Sequence, residues 1–114
     1  VLRCATGPDG QCASVAAGGL SRDDVRRVVT RNRAQVRHCY ERALQSRPDL
    51  EGRLGMSWMI HPEGRVMGVR VSGANDLHSA DIEQCVTQAV SRWQFPAANS
   101  PTAVSYPFMF QTQG

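Results

Sequence analysis

The chain contains no lysine: all 13 of its basic residues are arginine, set against 10 acids for a net charge of +3. So small an excess does not call for a nucleic-acid partner, and arginine without lysine is as much the mark of a GC-rich genome as of chemistry. Long apolar runs are missing too. None approaches the roughly 20 residues of a membrane-spanning helix. The start lacks the pattern of a signal peptide. With Val1 where a methionine would stand, the sequence reads as a piece of a longer protein, and any membrane anchor is expected outside it. Neither C-x2-C nor H-x3-H occurs, which argues against zinc. There is no glycine loop of the kind that cradles phosphate, and no carboxylate pair in apolar surroundings. His38, His61 and His78 are not grouped. No metal, cofactor or catalytic centre is expected, and the chain does not read as an enzyme.

What is present is 114 residues, enough for one domain with a modest core, and four cysteines. An even and fairly high cysteine count in so short a chain suits two disulfides in an oxidising compartment better than it suits cytosol.

Residues 1–20 are rich in small residues and glycine and show neither helical nor strand period. The turn signal "GPDG" (7–10) lies between Cys4 and Cys12 and would bring them together. This stretch reads as a linker or arm with a loop pinned by Cys4 and Cys12. Ser21 then suits a helix N-cap, with Asp23 and Asp24 in the first turn. Val25, Val28, Val29, Asn32, Val36, Cys39, Tyr40, Ala43 and Leu44 recur at three- and four-residue steps, predicting one amphipathic helix over about 22–46. Pro48 ends it.

Period two follows. Leu54, Met56, Trp58 and Ile60 face one way, while Arg53, Gly55, Ser57 and Met59 face the other. "HPEG" (61–64) is a turn, so 53–73 reads as a hairpin. A second helix fits 80–93, with Ile82, Cys85, Val86, Ala89, Val90 and Trp93 as its stripe, and 103–110 reads as a third strand. The expected fold is α+β: a two-layer sandwich of a three-stranded antiparallel sheet with two helices on one face, in the order helix-strand-strand-helix-strand. A right-handed crossover places strand three beside strand one and leaves both outer strands as open edges.

Cys39 and Cys85 fall on the buried stripes of two helices that pack on the same face. A bridge between them would be worth roughly 4 kcal/mol by loop entropy. Two inert buried thiols are the competing reading. A nucleophilic Cys39 would need a base, and His38 points elsewhere on the helix.

Two features could carry binding. Arg22, Arg26, Arg27, Arg31, Arg33 and Arg37 lie off the apolar stripe of the first helix, either as a solvated face or as anion contacts, with Arg26, Arg33 and Arg37 the candidates. The last strand, through Val104, Ser105, Tyr106, Pro107, Phe108 and Met109, offers an edge to which an extended peptide could add. Pro107 fits an edge, where its missing N–H costs nothing if it points outward.

Taken together, "VRHCYERAL" (36–44), "GRLGMSWMIHPEGRV" (52–66), "CVTQAVSRWQFP" (85–96) and "YPFMF" (106–110) resemble the TonB C-terminal domain, most closely the type found in myxobacterial gliding-motility proteins such as AgmX and PglI. The resemblance covers about 21–110, leaving Cys4 and Cys12 outside it. It implies a periplasmic domain of an inner-membrane-anchored protein that carries force from a proton-driven motor to an outer-membrane or periplasmic partner. That partner would bind beside the last strand, 103–110 here, and the subgroup's paired cysteines would be Cys39 and Cys85. Pro107 departs from the ladder such pairing needs. A peptidoglycan-binding domain is the alternative from another class. A sheet platform for single-stranded RNA is disfavoured, because Arg53, Gly55, Ser57, Met59, Ser105 and Met109 put no aromatic on the open face.

Overall fold

Ser21 opens the first helix with a reciprocal cap. Its hydroxyl accepts from the Asp24 amide at 3.1 Å, and the Asp24 carboxylate accepts from the Ser21 amide at 3.0 Å. The pair satisfies amides that helix geometry leaves without partners. In this computed structural model, which describes residues 2–112, the helix expected over 22–46 is two helices. These are α1 (Arg22–Arg31) and α2 (Arg33–Leu44), parted at Asn32. The Asn32 side-chain amide donates to the Val28 carbonyl at 2.8 Å, and its backbone N–H is shared between the Val28 and Val29 carbonyls. An asparagine that satisfies the preceding turn with its own side chain competes with helix continuation. The apolar stripe crosses the break, with Val25, Val28 and Val29 buried on α1 and Val36, Cys39 and Tyr40 on α2.

The hairpin forms as β3 (Gly52–Ile60) and β4 (Val66–Asn75). Its turn depends on Gly64, whose φ of +97° and close approach to the Phe95 carbonyl leave no room for a Cβ. Next come α3 (Ala80–Ser91), capped by the Ser79 hydroxyl, and β5 (Thr102–Phe110). Pairing of β5 with β3, and of β3 with β4, gives the expected order for these three strands.

The sheet is not three-stranded. Two short strands from the chain start, β1 (Leu2–Cys4) and β2 (Val15–Gly18), both pair antiparallel with the far side of β5. The path is β1-β5-β3-β4 with β2 also on β5, so five strands and three helices replace three and two. The outer edge of β5, expected to be open, is covered. Strands of three and four residues are too brief to display a period of two.

The core lies between the helices and one sheet face. Leu54 pairs with Phe108, Met56 with Tyr106 and Trp58 with Val104, so these six share the inner face, and all are buried. Trp58 meets Trp93 edge-to-face with ring centres 6.2 Å apart. The Trp93 indole N–H donates to Gln35 at 3.0 Å, tying the end of α3 to α2. Tyr40 donates to the Leu50 carbonyl and so fastens α2 to the loop before β3. The opposite sheet face, with Arg53, Met59, Ala103 and Ser105, is exposed.

Candidate partner-binding site

Along the outer edge of β5, Leu2, Arg3 and Cys4 lie opposite Phe110, Met109 and Phe108, and Val15 to Gly18 lie opposite Ser105 to Thr102. Between these ladders, the stretch from Ala5 to Ser14 leaves the edge as a loop closed by the Cys4–Cys12 disulfide, whose Cα atoms are 5.4 Å apart. Tyr106 and Pro107 are the β5 residues that face this excursion. Pro107 has no N–H to give, but its carbonyl accepts from the Ala5 amide at 2.8 Å. The arm thus leaves β5 where the ladder lacks a donor. At the far end the Thr102 hydroxyl accepts from the Leu20 amide at 2.9 Å. Gly18, at φ +139°, passes so close to the Pro101 carbonyl that no side chain would fit.

The loop is also held from the helix side. Arg22 donates to the Cys12 carbonyl at 2.6 Å, and the Ala13 amide bonds to the Ala5 carbonyl at 2.9 Å. The second disulfide, Cys39–Cys85, joins α2 to α3 with Cα atoms 5.7 Å apart. All four cysteines are therefore bridged, and none is available as a thiolate ligand or nucleophile. Among the described residues no group of His, Cys, Asp or Glu is placed to hold a metal.

The six residues 104–109 follow one another along β5 with alternating exposure. Val104, Tyr106 and Phe108 are buried, Ser105 is exposed, and Pro107 and Met109 are half-buried. Arg26, Arg33 and Arg37 stand on the other side of the arm. Arg26 and Arg33 line a cleft of about 270 Å³ together with Leu2, Cys4, Cys12, Tyr106 and Phe108. Arg33 and Arg37 line a neighbouring cleft of about 430 Å³ with Leu2, Tyr40 and Glu41. Burial raises the Tyr106 hydroxyl above its ordinary pKa, while Arg26 and Arg33 act in the opposite direction. The arm residues that complete these features were not legible as strands.

A family model of the Gram-negative bacterial TonB protein C-terminal region matches residues 43–112, which span the end of α2 through β5. The chain belongs to the TonB C-terminal family. The tyrosine-protein kinase MasK of Myxococcus xanthus is 30% identical over 93 residues, 81% of this chain but 14% of the kinase. No solved structure gives a significant match. TonB C-terminal domains are periplasmic protein-interaction modules rather than enzymes. The two disulfides here fit a setting outside the cytoplasm. No helix among the described residues is long and apolar enough to cross a membrane.

Proposed function

We propose that this TonB-like domain is the partner-binding end of an inner-membrane-anchored, envelope-spanning protein. It transmits force from a proton-driven motor to an outer-membrane or periplasmic protein, in a gliding-motility machine. The observation that carries this reading is the β5 edge. It already holds an extended segment in antiparallel register at Phe108–Phe110 and again at Thr102–Ser105, and so has the geometry for strand addition. In the partner-bound state an outside segment takes the place of the arm over all or part of that ladder. The family membership and the similarity to a myxobacterial protein support the setting.

The test is a photo-crosslinking residue at Ser105 in the anchored, full-length protein in cells. A crosslink to a defined envelope protein is the expected result, and a crosslink only to the protein's own arm sinks the model. Sedimentation of the domain with isolated cell-wall sacculi would favour peptidoglycan binding instead.

A further inference from the structure

The strongest unassigned feature is the cleft where α1, α2, β5 and the arm meet. Arg26, Thr30 and Arg33 succeed one another at four- and three-residue steps and line the cleft, with Tyr106 and Phe108 opposite and Leu2 and the Cys4–Cys12 bridge as a wall. Neither Arg26 nor Arg33 has an ion pair among the described residues, although three arginine–carboxylate pairs form elsewhere. Of the nearby acids, Asp24 is held by Ser21 and Arg27. Asp23 lines an adjoining hollow with Arg26 and Thr30, and Glu41 lines the neighbouring cleft with Arg33 and Arg37, but neither forms an ion pair with Arg26 or Arg33 and neither lines this cleft. The Tyr106 hydroxyl has no hydrogen-bond partner among the described residues; burial raises its pKa, and the charges of Arg26 and Arg33 act against that rise. Arg26, Arg33 and the Tyr106 phenol, together with Arg3, thus border one space lined by both polar and apolar groups and by no carboxylate. That is an arrangement suited to a carboxylate, which accepts charge-assisted bonds from arginine in pairs.

We infer that this cleft binds the carboxylate of an acidic segment of a protein partner, bridged by Arg26 and Arg33 and capped by the Tyr106 hydroxyl, with a neighbouring apolar side chain against Leu2 and Phe108. The cleft shares Leu2 and Arg33 with the next one along the arm, where Arg37 stands. Glu41 also lines that second cleft, so the carboxylate is seated in the first cleft and only flanking residues of the segment run along the second. This contact uses side chains on the helix side of the arm and does not require the arm to leave β5. It stands or falls apart from strand addition.

The experiment titrates the full 114-residue chain with a short peptide of alternating leucine and glutamate, labelled with a neutral dye, and with its glutamine counterpart. The glutamate peptide binds and the glutamine peptide does not. The R26Q/R33Q double variant weakens binding by about tenfold or more, whereas R70Q/R92Q, which removes the same charge from elsewhere on the surface, changes it by less than about threefold. Amide shifts in the unaltered chain provide a readout that needs no variant. They concentrate at Thr30, Arg33 and Tyr106, whereas strand addition would move Ala103, Ser105 and the arm. Equal binding of both peptides, no loss with R26Q/R33Q, shifts confined to the β5 edge, or preference for phosphatidylglycerol vesicles or isolated peptidoglycan each overturns the inference.

Discussion

The arm and the body of this molecule each contain one disulfide, but the two bridges constrain different things. Cys39–Cys85 joins positions 46 residues apart and ties two helices over a shared core. Cys4–Cys12 joins positions eight apart and closes a loop that packs on one strand edge. Loop entropy grows slowly with length, so the two bridges differ less in what they remove from the unfolded chain than in which structure collects the benefit. The long bridge stabilises the whole domain. The short one acts on the arm, shaping the segment that pairs with β5.

The largest test of that contrast is C39S/C85S. It should lower unfolding stability by about 4 kcal/mol, measured by denaturant titration against the oxidised parent. C4S/C12S should leave the main transition nearly unchanged. It should speed hydrogen exchange at the Ala5 and Ala13 amides, which bond to Pro107 and Ala5, by the equivalent of about 2.5 kcal/mol in arm docking. A global loss as large as that of C39S/C85S would mean that arm and body unfold as one unit. Leu2→Ala acts on the arm without touching a bridge. Leu2 is 6% exposed, and truncating it should cost about 2 kcal/mol of docking, the low end for a buried leucine.

The smallest effect is expected from an exposed polar contact of the body. Asp76 accepts from the Arg53 amide and from its guanidinium, at 3.0 and 3.2 Å. The amide bond, then the side-chain bond, holds the Asp76 carboxyl below its ordinary value of 3.8. A lowered folded pKa means that the stabilisation is complete above the unfolded value and disappears as pH falls through the folded one. Asp76→Asn should therefore remove this small contribution at neutral pH and leave stability unchanged at pH values below the folded pKa, which flattens the acid limb of the stability curve. A marked loss at pH 7 would show that this contact does more than an exposed pair should.

The body was legible because its signals were long. The apolar stripe from Val25 to Leu44 and the alternation from Leu54 to Ile60 each repeat often enough to define a face. What the stripe could not reveal was its interruption at Asn32. A side chain bonding to its own preceding turn alters the backbone without altering the apolar pattern. The arm was illegible for the opposite reason. Three residues at Leu2–Cys4 and four at Val15–Gly18 are strands only because β5 is there to pair with them, and pairing over more than 80 positions leaves no local trace. The candidate site inherited both limits. Its arginines and its β5 residues were visible, but the wall that brings them into one cleft was not.

The short disulfide has a mechanical consequence. A tension applied at Leu2 reaches Cys4 and crosses the sulfur bridge to Cys12, then passes into β2, bypassing the loop in between. Fully drawn out, the eight peptide steps from Cys4 to Cys12 would lengthen the tether to roughly 27 Å. Bridged, the same two Cα atoms are 5.4 Å apart. The bridge therefore removes about 20 Å of slack from the path between a pull and the sheet. With that slack gone, a small displacement at the arm is felt along β5 as load rather than absorbed as extension.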